Sequence, residues 1–341
     1  MCGSTYHVRA RGHKRIAPAW PSCYGPDVRP LRALPAALAA ATLAAAATGC
    51  DCGPTFVDRS DSATAAPGTD ANLPLDAGPG GPPTVTVGAW NIENFPMTAA
   101  TVDDIAGLIL GLGADILGLE EVADTAAFDM LVARLPGWNG VYALSGDGFT
   151  RVALVWKTDR VQVGNVQTLF EADGWAFPRP VLKSDVVVTE AGASGAFTFT
   201  FLVVHLKAQP DAESEDRRRM AVVALEQYVG SSLSLGVEDD FVIAGDWNDE
   251  LTDPPVDNVF LPFIDSPEAY IFLDLANEQM GALPSYIPFG SYLDHMLVTA
   301  GALDEYGAGT IANVPLDATF PGYEVTVSDH RPVLATFLTP Y

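Results

Sequence analysis

The residues able to do chemistry gather where apolar runs stop. Ile243-Ala244-Gly245 breaks into Asp246-Trp247-Asn248-Asp249, and five other apolar runs end in polar groups: Asn91, Glu120-Glu121, His205, Asp294-His295 and Asp329-His330. Buried strands that deliver polar groups at their ends hold chemistry on a rigid sheet edge. Taken alone, Gly-Asp-X-Asn reads more readily as a turn, because Asp and Asn side chains bond their own backbone. The recurrence of such ends along one chain is what favours a site. Several carboxylates in one cleft repel each other and resist desolvation unless a cation neutralises them. Oxygen donors with no cysteine or histidine cluster suit a hard divalent ion, Mg²⁺ or alternatively Mn²⁺ or Ca²⁺, rather than Zn²⁺.

The elements that must position these residues read mostly as strands. Alternation and apolar runs predict strands over 84–90 (running into 91–94), 114–119, 141–144, 151–157, 161–169, 181–188, 196–206, the run from Ile243 to Gly245, 292–299 and 332–337. Ile105, Leu108, Ile109 and Leu112 fall at helical spacing within 101–112. Asp124 or Thr125 is suited to cap a helix running to Leu135, and a charged helix is expected over about 212–229. Dominant strands with interspersed helices indicate an α/β protein with stacked sheets covered by helices, not an alternating βαβ fold with a glycine-rich nucleotide loop.

Of the 341 residues, the first 49 carry six basic side chains against Asp27 alone, which leaves 12 basic and 42 acidic side chains in the remainder, a net charge of −30. A surface this negative repels polyanions at long range, so a polyanionic substrate needs a local cation or metal to hold it. All four cysteines, Cys2, Cys23, Cys50 and Cys52, precede the strands, so the main domain is built without disulfides. Arg29 and Arg32 flank an Ala/Leu-rich run that closes in Ala47-Thr48-Gly49-Cys50, the pattern of an export signal over 1–49. That ending resembles a bacterial lipobox, which would make Cys50 a lipid anchor; an ordinary cleaved signal, or an uncleaved alanine-rich helix, is the other reading. Residues 50–83, rich in Pro, Gly, Ala and Asp, read as a disordered linker to a domain over 84–341. The expected location is outside the cytoplasm, anchored to the cell envelope or secreted.

Trp90-Asn91-Ile92-Glu93-Asn94, Leu119-Glu120-Glu121-Val122, His205-Leu206-Lys207, Gly245-Asp246-Trp247-Asn248-Asp249, Leu293-Asp294-His295 and Ser328-Asp329-His330-Arg331-Pro332 follow one another in an order that resembles the endonuclease/exonuclease/phosphatase superfamily. The resemblance covers about residues 84–339. It implies a four-layer α/β sandwich, two packed mixed β-sheets flanked by helices, and a metal-dependent phosphoric ester hydrolase. By resemblance, Glu121, Asn91 and Asp329 attend the metal, and Asp294 orients His330, which deprotonates the attacking water. Asp246 and Asn248 then position that water, and His205 contacts the phosphate or protonates the leaving oxygen. Glu120 stands where relatives often carry glutamine and is expected to sit behind the metal ligand. Arg179 in Phe177-Pro178-Arg179-Pro180 matches an arginine that grips phosphate in the deoxyribonuclease branch; an exposed turn arginine is the alternative. Thr150 stands where that branch has a glutamate paired to the equivalent of His205, so the acid role of His205 lacks its partner.

Three tempting features read more simply. His295 is expected to be structural or on the rim of the site. Arg217-Arg218-Arg219 follow Glu213, Glu215 and Asp216, which predicts helix pairing on a solvated face. Trp247 is expected to pack at the cleft wall rather than stack on a base. The resemblance implies phosphodiester hydrolysis, most simply nuclease-like with nucleic acid as substrate. A phosphomonoesterase or phospholipid or sphingomyelin phosphodiesterase is the alternative, and a binding protein on a decayed scaffold is the reading from another class. Membrane contact is expected only through Cys50, and no obligate protein partner is indicated.

Overall fold

A computed structural model describes residues 84–143, 150–189, 197–307 and 309–338, together with the backbone of Phe56–Val57. The expected export signal over 1–49, Cys50 and most of the 50–83 stretch lie outside the described residues. The elements are β1 (Phe56–Val57), β2 (Thr84–Phe95), α1 (Thr101–Gly111), β3 (Ile116–Val122), α2 (Thr125–Ala133), β4 (Trp138–Tyr142), β5 (Arg151–Lys157), β6 (Val161–Leu169) and β7 (Val181–Val188). They continue with β8 (Phe197–His205), α3 (Ala212–Leu235), β9 (Phe241–Asp246), α4 (Leu261–Ile264), β10 (Tyr270–Phe272), α5 (Leu275–Gln279), β11 (Asp294–Thr299), α6 (Ala300–Tyr306), β12 (Thr310–Asn313), α7 (Tyr323–Thr326) and β13 (Val333–Leu338).

The strands form two sheets, in the orders β1-β4-β5-β3-β2-β13-β12 and β10-β11-β9-β8-β7-β6. Each is mixed for the same reason. Helix α1 carries the chain back so that β2 and β3 pair in parallel, α3 does the same for β8 and β9, and the other pairings are antiparallel. The polar ends of these parallel strands therefore emerge on the same edge of their sheets.

Three apolar clusters account for the layers. Val87, Ala89, Ile116, Val203, Ala244 and Met296 fill the space between the sheets. Ile105, Ile109, Phe128 and Leu131 of α1 and α2 cover the outer face of the first sheet, and Ala221, Val222 and Leu225 of α3 cover the second. The result is the expected helix, sheet, sheet, helix sandwich. Burying each large side chain contributes roughly 1.5–3 kcal/mol. Asp124 caps α2 by accepting from Ala126 and Ala127 N–H, and Asp211 caps α3 through Ser214 N–H.

Some sequence boundaries move. The charged helix runs to Leu235, closed by Gly236 in the left-handed region (φ 60°). The strand expected from 292 starts at Asp294, and β10 and β12 were not anticipated. Both are only three or four residues long, too short to show a period. No helix among the described residues is long and apolar enough to cross a membrane.

Candidate active site

Strand alternation decides which polar side chains reach the space between the sheets. Val203 and Ala244 point inward, so His205 and Asp246, two residues on, do as well; Asp294 lies opposite Asp246 in the β9–β11 ladder. On the first sheet Ala89 faces inward, and so does Asn91. Four non-glycine residues at these ends have positive φ: Glu93 (35°), Asn94 (47°), Glu121 (63°) and Asn248 (57°). Such conformations are uncommon and gather where the fold re-aims side chains for function. Glu121 is the clearest case. Glu120 keeps the strand's alternation and is fully buried, whereas the left-handed turn at Glu121 brings the next carboxylate to the cleft.

Asn91 joins the two sheets, since its Nδ2 donates to Asp246 Oδ2 at 3.0 Å and lies 3.4 Å from Glu121 Oε1. Glu121 Oε2 accepts from Asn94 N–H at 2.9 Å. The Ser-Asp-His segment is stitched to β2: Ser328 Oγ donates to the Asn91 carbonyl at 2.6 Å and accepts from His330 N–H at 2.9 Å. Trp90 Nε1 and Tyr323 Oη both donate to the His330 carbonyl, at 3.2 and 2.6 Å, and fix its backbone. The His330 ring places Nδ1 2.7 Å from Asp294 Oδ2. Its Nε2 has no hydrogen bond and lies 3.9 Å from Asp246 Oδ2 and 3.8 Å from Asp329 Oδ1.

Of the site residues, Glu93, Glu121, His205, Asp246, Asn248, Asp329 and His330 line a cleft of about 660 Å³, with Asn91 and Asp294 behind them. Burial outweighs other effects on its acids and pushes Glu93 and Asp246 up to about 7, with Asp329 also raised. Neighbouring carboxylates add to the shift in each case. Burial acts to lower His330, but Asp294 and Asp246 overcome it and push the imidazole up to about 10. His205 goes the other way: burial, then Arg179 and His330, hold it well below the usual histidine value. Both of its ring nitrogens lack hydrogen-bond partners, although Nε2 lies 3.4 Å from Asp246 Oδ2 and 3.8 Å from Glu121 Oε1. Carboxylates that ionise reluctantly because they are buried and, in addition, face each other, around an unsatisfied imidazole, are the donor set a hard divalent cation would satisfy. The residues therefore fit such an ion.

The structure brings Asn91, Glu121, His205, Asp246, Asn248, Asp294, Asp329 and His330 to one place. Arg179 is beside them but turned to the protein: Nε donates to Thr150 Oγ1 at 3.3 Å and Nη1 to the Leu206 carbonyl at 3.2 Å. Glu120 sits beneath the site, fully buried, with neither carboxylate oxygen bonded. Trp247 packs against Phe260, Phe263 and Phe272 and is wholly buried, which removes it as a base-stacking platform.

The solvated-face expectation for the arginine run needs correction at its centre. Arg219 does pair with Glu215 one turn earlier, but Arg218 is buried and bonds Asp249 Oδ2 at 2.7 Å. It also donates to the Lys207 and Gln209 carbonyls, at 2.9 and 2.8 Å, joining the loop after β8 to that after β9. The local charge pattern could not reveal this, because the partner is 31 residues away. Glu93, to which the sequence assigns no role, lines the cleft and accepts from Asp329 N–H at 3.0 Å. Its position two residues after Asn91, at the same strand end, was the available signal.

The sequence profile of the Endonuclease/Exonuclease/phosphatase family matches residues 88–330, and the chain belongs to that family. The family consists of metal-dependent phosphoester hydrolases, and the protein is an enzyme of this class. The human Nocturnin catalytic domain, solved with bound sulfate, superposes with a TM-score of 0.55 at 20% identity, over 75% of this chain and 94% of that one. TDP2 of D. rerio, solved with a single-strand DNA product, gives 0.54 at 14%, over 74% and 98%. A mannosyl-6-phosphatase of Bacteroides thetaiotaomicron gives 0.52 at 16%, over 74% and 98%. At these identities the likeness is one of fold. A search of curated proteins finds no match.

Proposed function

We propose that the protein hydrolyses phosphodiester bonds with a water molecule deprotonated by His330. The observation that carries this reading is the pair His330–Asp294, 2.7 Å apart, whose free Nε2 faces the carboxylates of the cleft. Asp294, as acceptor, keeps a proton on Nδ1, and Nε2 would present its lone pair once a bound cation offsets the carboxylates that push His330 up to about 10. Glu121, Asn91 and Asp329 would hold Mg²⁺, with Mn²⁺ or Ca²⁺ as alternatives and Glu93 beside them. When bound, the ion supplies positive charge against the phosphoryl oxygens and offsets the carboxylate field that raises His330. Asp246, held by Asn91 and by Asn248 N–H (2.9 Å), is the group placed to orient the water. His205 is neutral and has no carboxylate on Nδ1, so it donates a hydrogen bond to a phosphate oxygen rather than acting as the leaving group's acid. Arg179 serves that contact from behind, because reaching the phosphate itself would break two of its bonds.

A polynucleotide is not favoured by the cleft, since Arg218 is the only Lys or Arg among its described lining residues and is bonded to Asp249. The diester bond, rather than a nucleic-acid track, is the substrate feature proposed. The test is hydrolysis of bis(p-nitrophenyl) phosphate with Mg²⁺, Mn²⁺, Ca²⁺ or EDTA, with plasmid DNA, RNA and a phosphomonoester in parallel. Turnover that survives chelation would overturn the mechanism, and turnover of monoesters alone would overturn the diester assignment. Export with a lipid on Cys50 is part of the same proposal, supported by the residues around 29–50; the mass of the mature N-terminus checks it.

A further inference from the structure

A phosphodiester in the cleft brings two non-bridging oxygens, and both must be stabilised as water attacks. The walls offer few donors for them. Arg218 is spent on Asp249 and on the Lys207 and Gln209 carbonyls, and Asn248 Nδ2 donates to the Leu206 carbonyl at 3.4 Å. Beyond His205, four described lining side chains keep an uncommitted amide or hydroxyl donor: Asn94, Gln209, Ser291 and Tyr286. Of these, Tyr286 alone is in ring contact with His330.

Backbone pairing puts it there. The Ser285 carbonyl accepts from Arg331 N–H at 2.8 Å and Ile287 N–H donates to the Asp329 carbonyl at 2.9 Å, which sets Tyr286 opposite His330 in an antiparallel bridge. Hydrogen bonds that flank a pair rather than join it mark the closely spaced type, with both side chains on one face at nearest approach. The rings accordingly lie 4.9 Å apart at 45°. Tyr286 and Ser291 exchange backbone hydrogen bonds at 2.9 and 3.2 Å, and Ser285 Oγ accepts from Leu293 and Asp294 N–H at 3.0 Å each. The hairpin is therefore clamped to the strand ends that build the site. Phe289, 83% exposed on this hairpin, packs on the Tyr286 ring at 5.9 Å and 39°. Burial, followed by Asp329, Glu93, Asp246 and Glu121, pushes the phenol above its usual value. These acids surround the place where the reacting phosphate must lie, and the hydroxyl bonds none of them. A donor fixed in place beforehand costs no reorganisation as charge develops.

We propose that Tyr286 is a catalytic residue whose hydroxyl donates a hydrogen bond to a non-bridging oxygen of the reacting phosphate, with its ring fixed against His330 and Phe289. This rests on the phosphodiesterase reading of the same site. The contact strengthens as charge grows on that oxygen, so it acts on kcat more than on KM.

The test is Tyr286→Phe, which removes the hydroxyl and keeps the ring, assayed with bis(p-nitrophenyl) phosphate and Mg²⁺. kcat is expected to fall about 10²-fold, with KM within about threefold of wild type. The break in the acidic limb of the pH–rate profile should stay in place, because the ring against His330 remains. Binding supplies a second readout. Vanadate, which takes the five-coordinate shape of the transition state, should lose affinity in step with kcat, whereas inorganic phosphate should lose little. The ratio of these two affinities does not depend on the folded fraction, so it tests the contact in a less stable variant as well. A wild-type kcat, a loss confined to KM, or an unchanged affinity ratio would overturn the inference while the diester reading stands. A displaced pH break would overturn it too, by showing that Tyr286 acts through His330. Failure of the wild type to hydrolyse the diester would overturn both.

Discussion

Two histidine–aspartate pairs each take one member from the adjacent residues Asp294 and His295 and do opposite jobs. His330 pairs with Asp294 at 2.7 Å and His295 with Asp274 at 2.5 Å, and both imidazoles are buried. The difference lies at the second nitrogen. His295 Nε2 is 2.9 Å from the Asp249 carbonyl, which can only accept, and Nδ1 meets a carboxylate, so both nitrogens donate and the ring is an imidazolium. Burial acts against that charge, but Asp274 outweighs it and raises His295 to about 9. His330 Nε2 has no hydrogen bond and faces the cleft. An aspartate beside a histidine therefore does not identify a base; an unoccupied nitrogen opening onto a cavity does.

The comparison can be broken by substitution. His330→Ala is expected to lower kcat about 10²- to 10⁴-fold and to leave the thermal midpoint near wild type. Asp294→Asn should cost a similar order by disturbing the tautomer. A soluble His330→Ala protein with wild-type turnover would end the assignment. His295→Ala should show the converse, with a loss of about 3–5 kcal/mol in urea unfolding because Asp274 is left buried and unpaired. The fraction still folded should keep kcat within a few-fold of wild type.

A pH series sharpens the contrast with a smaller effect. His295 acquires its partners on folding, which raises its pKa from 6.5 to about 9. Its contribution is complete below pH 6.5 and is lost as pH rises through 9. The shift corresponds to roughly 3 kcal/mol. The stability gap between wild type and His295→Gln should therefore be widest near pH 6 and narrow by pH 9.5. A gap that is constant across this range would show that His295 packs as a neutral ring.

Much of the site was legible because strands have period two. Runs such as Ile243-Ala244-Gly245-Asp246 announce both the strand and its polar end, and the order of those ends resembles the family. Period alone, however, treats Glu120 and Glu121 as neighbours on opposite faces. Only the positive φ of Glu121 shows how the strand bends to bring its carboxylate to the cleft while Glu120 stays between the sheets. Asp294-His295 is a similar case, because alternation separates the two residues but does not say which face is the cleft. Arg218 was misread because its local acids suggested a helix-surface pair, whereas burial placed it against Asp249.

The sequence by itself determined the class of fold, the family and the identity of the residues that converge, because hydrophobic alternation and strand-end chemistry are local properties of the chain. Tertiary structure decided which histidine has a free nitrogen, how the left-handed turn at Glu121 brings its carboxylate to the cleft, that Arg179 and Arg218 are engaged by protein groups, and that Phe289 stands exposed on a clamped hairpin beside Tyr286. Those outcomes depend on partners tens to hundreds of residues apart, and only packing brings such groups within hydrogen-bonding distance.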